Sequence, residues 1–260
     1  MRIRYLGLSV AIALAATPAT AERIELREKD MTAVDPSTAY VLMTAEDSGA
    51  MQIFRKASQK EADEWEIKRG AAHKRAVKAY ESDLKAWRNR ENDPFTGRPY
   101  RKPDPVETSF YFKPPELANF VNVLGREYIK GENYILLRLD PGDYVFYTVP
   151  GKGTGVARQG QCLCMGSIGF TAEAGKVVSV GRFSGMVNDG EYRFIPAAAA
   201  DPVPQSLQRF GVTPARLFGV GKLPNFLGSI VARVGSVPGL IDYQRDLPLD
   251  GSGRPAAGLR

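Results

Sequence analysis

Histidine and cysteine are nearly absent from this chain: His73 is the single imidazole in 260 residues, and Cys162 and Cys164 are the only thiols. A Ser-His-Asp or Cys-His enzyme, or a zinc site built on histidine, would have to be assembled around that one side chain. Two cysteines exclude a disulfide framework as the source of the fold. Long hydrophobic runs are also scarce. Beyond the first residues nothing approaches the ~18 apolar positions of a membrane span, so no transmembrane segment is expected in the mature chain. The charge balance of 35 Lys and Arg against 29 Asp and Glu is only mildly basic, which makes nucleic acid a poor partner and suits an anionic envelope surface.

The one apolar run is at the start. Arg2 and Arg4 precede Leu6 to Ala16, and Ala19-Thr20-Ala21 supplies small residues at a cleavage position. This is the pattern of a cleaved secretory signal over residues 1–21, with a periplasmic or secreted product. About 240 residues remain, enough for one large or two small domains.

Residues 22–56 alternate as strands, with Ala39 to Met43 and Met51 to Phe54 flanking an Asp47-Ser48-Gly49 turn as a first hairpin. The period then changes. Ser58 followed by Glu61 is a capping box, and a helix should run from there to before Asn92-Asp93-Pro94. Its apolar stripe is Ala62, Trp65, Ala72, Ala76, Val77, Tyr80, Leu84 and Trp87, with Glu64/Lys68 and Glu81/Lys85 as supporting pairs. Unbroken, it would reach ~50 Å; Gly70 is where a break would fall. A Pro-rich basic loop closes the segment, so residues 57–104 read as a helical insertion.

The strand pattern resumes at Val106, with Thr108 to Phe112 as a short aromatic strand. Tyr134 to Leu139 and Tyr144 to Val149 flank Asp140-Pro141-Gly142-Asp143, a type II turn sequence. Gln161 to Ala172 would place Cys162, Cys164, Ile168 and Phe170 on one face by parity, and Glu173-Ala174-Gly175-Lys176 turns the chain into Val177 to Phe183. The expected class is mainly β: an antiparallel β-sandwich over 22–196 carrying the helical insertion. An irregular, partly helical extension at 197–260 packs on it, with helical patches at Gln205 to Phe210 and Phe226 to Val234 and a mobile tail from 250.

The segments Leu139 to Tyr144, Cys162 to Gly166 and Phe170 to Lys176 carry a "PG-x-Y" turn and an "F-x-A-x-A-G-K" hairpin. Over 134–183 the chain resembles uncharacterised exported bacterial envelope proteins with a prealbumin-like or immunoglobulin-like β-sandwich module. The resemblance implies an envelope location and a sandwich fold, and it brings no catalytic residue.

Three functional readings stay open. The first is a non-enzymatic exported binding module, contacting another envelope protein or a second copy through the insertion, with Trp65, Tyr80, Leu84 and Trp87 as interaction residues. It requires no cofactor. In the second, Cys162 and Cys164 form a redox pair or hold Cu(I), a soft ion that accepts sulfur. Extended geometry would separate their Cα atoms by ~6.6 Å, so a bond between them needs a local bulge. The third is a hydrolase with paired carboxylates, for which Asp140 and Asp143 are simplest as turn formers. Gly169 to Gly175-Lys176 misses P-loop spacing and has Val177 where Ser or Thr should stand.

Overall fold

The computed structural model describes residues 24–25, 33–45, 51–91, 101–123, 134–149, 160–188, 190–197, 203 and 205–258. The expected signal segment 1–21, the expected Asp47-Ser48-Gly49 turn and residues 92–100 lie outside them.

Two seven-stranded sheets face each other. The first contains, in spatial order, β1 (Ile24–Glu25), β5 (Tyr134–Leu139), β2 (Ala39–Ala45), β9 (Val177–Asn188), β10 (Glu191–Pro196) and β14 (Arg233–Val234), with β11 (Thr213–Pro214) also on β9. The second runs β12 (Arg216–Val220), β8 (Ser167–Ala172), β6 (Gly142–Val149), β3 (Met51–Arg55) and β4 (Phe120–Val123). To it β7 (Gln161–Cys162) adds on β6 and β13 (Ile230–Val231) on β7. A small ladder joins β15 (Ile241–Gln244) to β16 (Leu247–Asp250). Helix α1 (Gln59–Glu91) is 33 residues long; α2 (Val106–Ser109), α3 (Pro115–Ala118) and α4 (Gln205–Gln208) are single turns.

The antiparallel β-sandwich expected from the turn pattern is therefore corrected to a mixed α/β fold. Both sheets mix parallel and antiparallel pairs: β2 runs parallel to β9, β11 to β9, β14 to β10 and β13 to β7. The physical reason lies at the turns. Each expected hairpin is a corner between sheets: β2 and β3, β5 and β6, and β8 and β9 all lie in different sheets. Turn residues state where a chain reverses. Which strands then share hydrogen bonds depends on where each apolar face finds cover. At the Pro141-Gly142 corner, the Lys56 N–H donates to the Asp143 carbonyl (2.7 Å) and the Tyr144 hydroxyl to the Asp140 carbonyl (2.8 Å), fixing the crossing.

The core between the sheets joins Val41, Leu137, Val178 and Val180 of the first to Ile53, Phe146, Ile168 and Phe170 of the second. Phe146 is fully buried, and its ring lies 4.7 Å from Phe183 and 5.3 Å from Phe170. The outer faces are apolar too. Tyr40, Leu42, Leu136 and Val177 are covered by Leu207 of α4 with Phe210 and Val212; Phe54, Val145 and Tyr147 are covered by Leu223 and Phe226. Such doubly covered strands read as near-continuous apolar runs.

Other local readings also change. Thr108 to Phe112 is the end of α2 followed by irregular chain, and Phe226 to Val234 forms turns and the short strands β13 and β14. The Gln161 to Ala172 segment breaks after Cys162 at a turn that ends on Gly166, which resets the parity. The region 250–258, expected above as a mobile tail, is tied back by the Ala256 N–H to the Pro248 carbonyl (3.0 Å) and by the Gly221 N–H to the Ala257 carbonyl (3.0 Å).

Helix α1 is continuous through Gly70. Its first turn is closed by the capping box: the Ser58 N–H donates to the Glu61 carboxylate (2.8 Å) and the Glu61 N–H to the Ser58 hydroxyl (3.3 Å). The same carboxylate pairs with Arg55 of β3, fastening the helix to the second sheet. Burial alone would push the Glu61 carboxyl up; the Arg55 guanidinium and the Ser58 groups outweigh it and hold it at about 2. A folded-state value below the unfolded one contributes stability above pH ~4.5 that disappears as pH falls through about 2. Glu61→Gln should thus lower stability at pH 7 by about 1 kcal/mol, after discounting for solvent around a 35% exposed carboxylate. Urea unfolding should show the gap from wild type closing between pH 4.5 and 2; a gap independent of pH would refute this linkage.

Candidate functional site

Two places gather the residues singled out by sequence. The first is the arm made by α1 and the chain returning beside it. No side chain described in α1 is buried. The stripe Ala62, Trp65, Ala72, Ala76, Val77, Tyr80, Leu84 and Trp87 is half-buried throughout, so the helix rests on a thin layer and not on a sheet. That layer is residues 101–114. The Trp65 Nε1–H donates to the Lys113 carbonyl (2.7 Å), and the Trp65 ring lies 5.8 Å from Phe112. Farther along, Phe110 meets His73 edge-on at 5.1 Å, and the Lys102 ammonium lies 5.6 Å over Trp87. The returning chain therefore runs antiparallel to the helix, with Phe110 and Phe112 turned inward and Tyr111 outward at 67% exposure.

Trp65 and Trp87 thus sit under this ribbon near the two ends of the stripe, with Tyr80 and Leu84 half-buried between them. Their apolar rings hold the arm together. The sequence reading missed the ribbon because its aromatic alternation suggested a sheet strand. His73 is exposed on the helix. Glu64/Lys68 and Glu81/Lys85 form no ion pair; on the arm Arg69–Glu66 (3.5 Å) and Arg101–Asp104 (3.2 Å) do.

The second place is the outer face of the second sheet. Cys162 and Cys164 are joined by a disulfide with Cα atoms 5.1 Å apart, closer than an extended chain would hold them. The chain leaves β7 at Leu163, whose N–H donates to the Tyr147 carbonyl (2.8 Å). Both cysteines are buried, at 0% and 4% exposure, beside Phe54, Val145, Tyr147, Val220 and Leu223. Ile168 and Phe170, expected on the same face, belong to the inter-sheet core instead.

Tyr147 closes this site. Its hydroxyl donates to the Pro224 carbonyl (2.8 Å) and accepts the Phe226 N–H (2.7 Å), and its ring packs edge-on against Phe54 at 4.9 Å. Burial raises its phenol above the ordinary value, against the Phe226 N–H, which lowers it. A bonded pair presents no thiolate. Cu(I) coordination here would follow two-electron reduction and opening of the Leu223–Phe226 cover.

The carboxylates of the Pro-Gly corner are structural: Asp143 accepts the Thr171 hydroxyl (2.7 Å), and Asp140 is exposed. Among the described residues no group of three His, Cys, Asp or Glu is placed to hold a metal ion. Tyr147 was missed by sequence reading, because its significance comes from Pro224 and Phe226, far along the chain.

Tyr147→Phe should remove two hydrogen bonds, leaving the Phe226 N–H and the Pro224 carbonyl with only their bond to each other (3.1 Å), and lower stability by about 1–2 kcal/mol. It should also speed reduction of the Cys162–Cys164 bond by added dithiol, followed by alkylation and mass. An unchanged urea midpoint and reduction rate would show that the hydroxyl does not hold the cover.

No family model, curated protein or solved structure matches the chain.

Proposed function

We propose that this chain is a non-enzymatic exported binding module that works by burying the surface of its helical arm against a protein partner. One observation carries the reading: a 33-residue helix, fastened at its base to β3, with no described side chain buried and only a ribbon against its apolar stripe. Helices of globular domains usually gain their stability from an apolar face buried in a core. This one keeps its length without such a core. The two most exposed large apolar side chains among the described residues, Ile67 at 74% and Tyr111 at 67%, are both on the arm, ahead of Leu227, Ile230, Val231 and Leu247 of the body at 42–47%. No described helix is long and apolar enough to cross a membrane.

The reading is tested with a photo-crosslinking amino acid placed singly at Ile67, at Tyr111, and at exposed Arg216 on β12 as the body control, in the full chain expressed in its own cells. Adducts of one discrete mass from Ile67 or Tyr111 and none from Arg216 are expected. Adducts from none of the three, or equally from all, would overturn it.

A further inference from the structure

Charge along α1 is sorted into blocks. Four acids come first, Glu61, Asp63, Glu64 and Glu66; then Ile67 to Tyr80 carries Lys68, Arg69, Lys74, Arg75 and Lys78 with no acid. The helix dipole favours acids in the first turn and bases in the last, and its effect fades within that turn. It accounts for Glu61 and for Arg88 and Arg90. It does not account for a basic block in the middle of the helix directly after an acidic one.

At 3.6 residues per turn, Asp63, Glu64, Ile67, Ala71, Lys74, Arg75 and Lys78 share one face, about half a turn from the stripe. All seven are exposed. No ion pair engages Asp63, Glu64, Lys74, Arg75 or Lys78 among the described residues; Asp63 accepts only the Gln59 amide (2.8 Å). On this face Ile67 and Ala71 stand between Asp63 and Glu64 on one side and Lys74 and Arg75 on the other, with Gly70 on its flank. A Cβ added at Gly70 would meet nothing within 4 Å. Mid-helix glycine costs about 1 kcal/mol relative to alanine, and the chain's own packing does not call for it. Ala71 beside an exposed Ile67 lets a second helix approach to ~8–10 Å, and Gly70 adds no bulk on the flank.

We propose that this face is where a second copy of the chain binds, its α1 antiparallel to the first and the two-fold axis passing between Ile67 and Ala71. In that arrangement Ile67 of one copy covers Ala71 of the other. Residues eleven apart, about three turns, fall on the same side of the face. Asp63 then meets Lys74 and Glu64 meets Arg75, each twice by symmetry. A parallel pairing would set acid against acid and base against base. Lys60 and Lys78 approach at the margins, where their long stems carry the ammonium groups apart into water. A single helix crossing buries less than the ~1,200 Å² of a standard interface, so the dimer is concentration-dependent, with a dissociation constant on the order of micromolar.

This assignment rests on the arm being the contact surface, and it names the partner. The test is sedimentation of the full chain from about 1 to 100 μM, the range such a contact calls for. Wild type should pass from monomer to dimer. Glu64→Lys and Arg75→Glu alone should each weaken the dimer roughly tenfold or more, since attraction becomes repulsion at two symmetric places. The double variant, and an equimolar mixture of the two single variants, should regain it. Recovery on mixing cannot come from a folding defect. A chain monomeric throughout, or a dimer indifferent to both reversals, would overturn the assignment. If the chain stays monomeric while Ile67 or Tyr111 still crosslinks to a protein of another mass, the second copy is wrong and the binding arm stands; if neither occurs, both fall.

Discussion

Each sheet is apolar on both faces, and the rest of the structure follows from that demand for cover. In β6, Tyr144 and Phe146 point into the inter-sheet core while Val145 and Tyr147 point outward, and all four are at most 1% exposed. Burying a large side chain contributes roughly 1.5–3 kcal/mol relative to leaving it in water, so neither outer face can be left wet. The chain from α4 onward supplies the missing layers. It lays Leu207 and Phe210 on one sheet and Leu223 and Phe226 on the other, and its short strands β11, β13 and β14 run parallel to strands already in place. A parallel neighbour cannot come from a tight hairpin, which is why cover from a distant segment brings mixed sheets with it. Register is then held by close approach more than by amphipathic alternation. At Gly181, φ is +113°, and a Cβ would lie 2.1 Å from the Ile195 carbonyl oxygen; only glycine lets β9 and β10 meet there.

The cysteine pair belongs to this covering problem. A disulfide across two residues closes so small a loop that its effect on the unfolded chain is slight beside that of a long one. Its consequence is local. The Cys162 carbonyl accepts the Ala232 N–H (2.7 Å) and the Cys164 carbonyl accepts the Leu223 N–H (2.9 Å), so two points of the covering segment hang from the bonded turn. Tyr147 pins the same segment between them through Pro224 and Phe226. What sequence presents as a candidate metal or redox site is, in its surroundings, the seam where the late chain is attached to the early one.

Legibility divided along the range of the interactions. The long helix was readable because its signals are local: Ser58 and Glu61 close its start, and the stripe from Ala62 to Trp87 recurs at helical spacing. Strand positions around Leu137, Phe146 and Phe170 were readable for the same reason. Pairing was not. Asp140-Pro141-Gly142-Asp143 has hairpin chemistry, yet it turns a corner between sheets because both strands are needed on opposite sides of one core. Within the ribbon, Thr108 to Phe112 was misread because Phe110 and Phe112 alternate like a strand, and nothing local distinguishes packing on a helix from packing on a sheet; the irregular Pro-rich chain at 101–105 was legible. Tyr147 was silent because its partners lie 77 and 79 residues away.

The arm has different energetics from the body. An isolated helix of ordinary sequence is marginal in water, and α1 draws on no core. Its alanines at 62, 72 and 76 bury little area, so its cohesion comes from the cap, the Arg55–Glu61 tie and the Trp65 and Trp87 rings under the ribbon. Each exposed charge pair along it adds only a few tenths of a kcal/mol. Deleting such an arm would cost the sheets little, since neither inter-sheet nor outer-face packing includes a residue of α1. A segment that the body does not need for folding, and that leaves Ile67 in water, is what the proposed contact rests on. Stability gained on binding would then be concentrated in the arm, so a bound partner should order and protect α1 far more than the sheets.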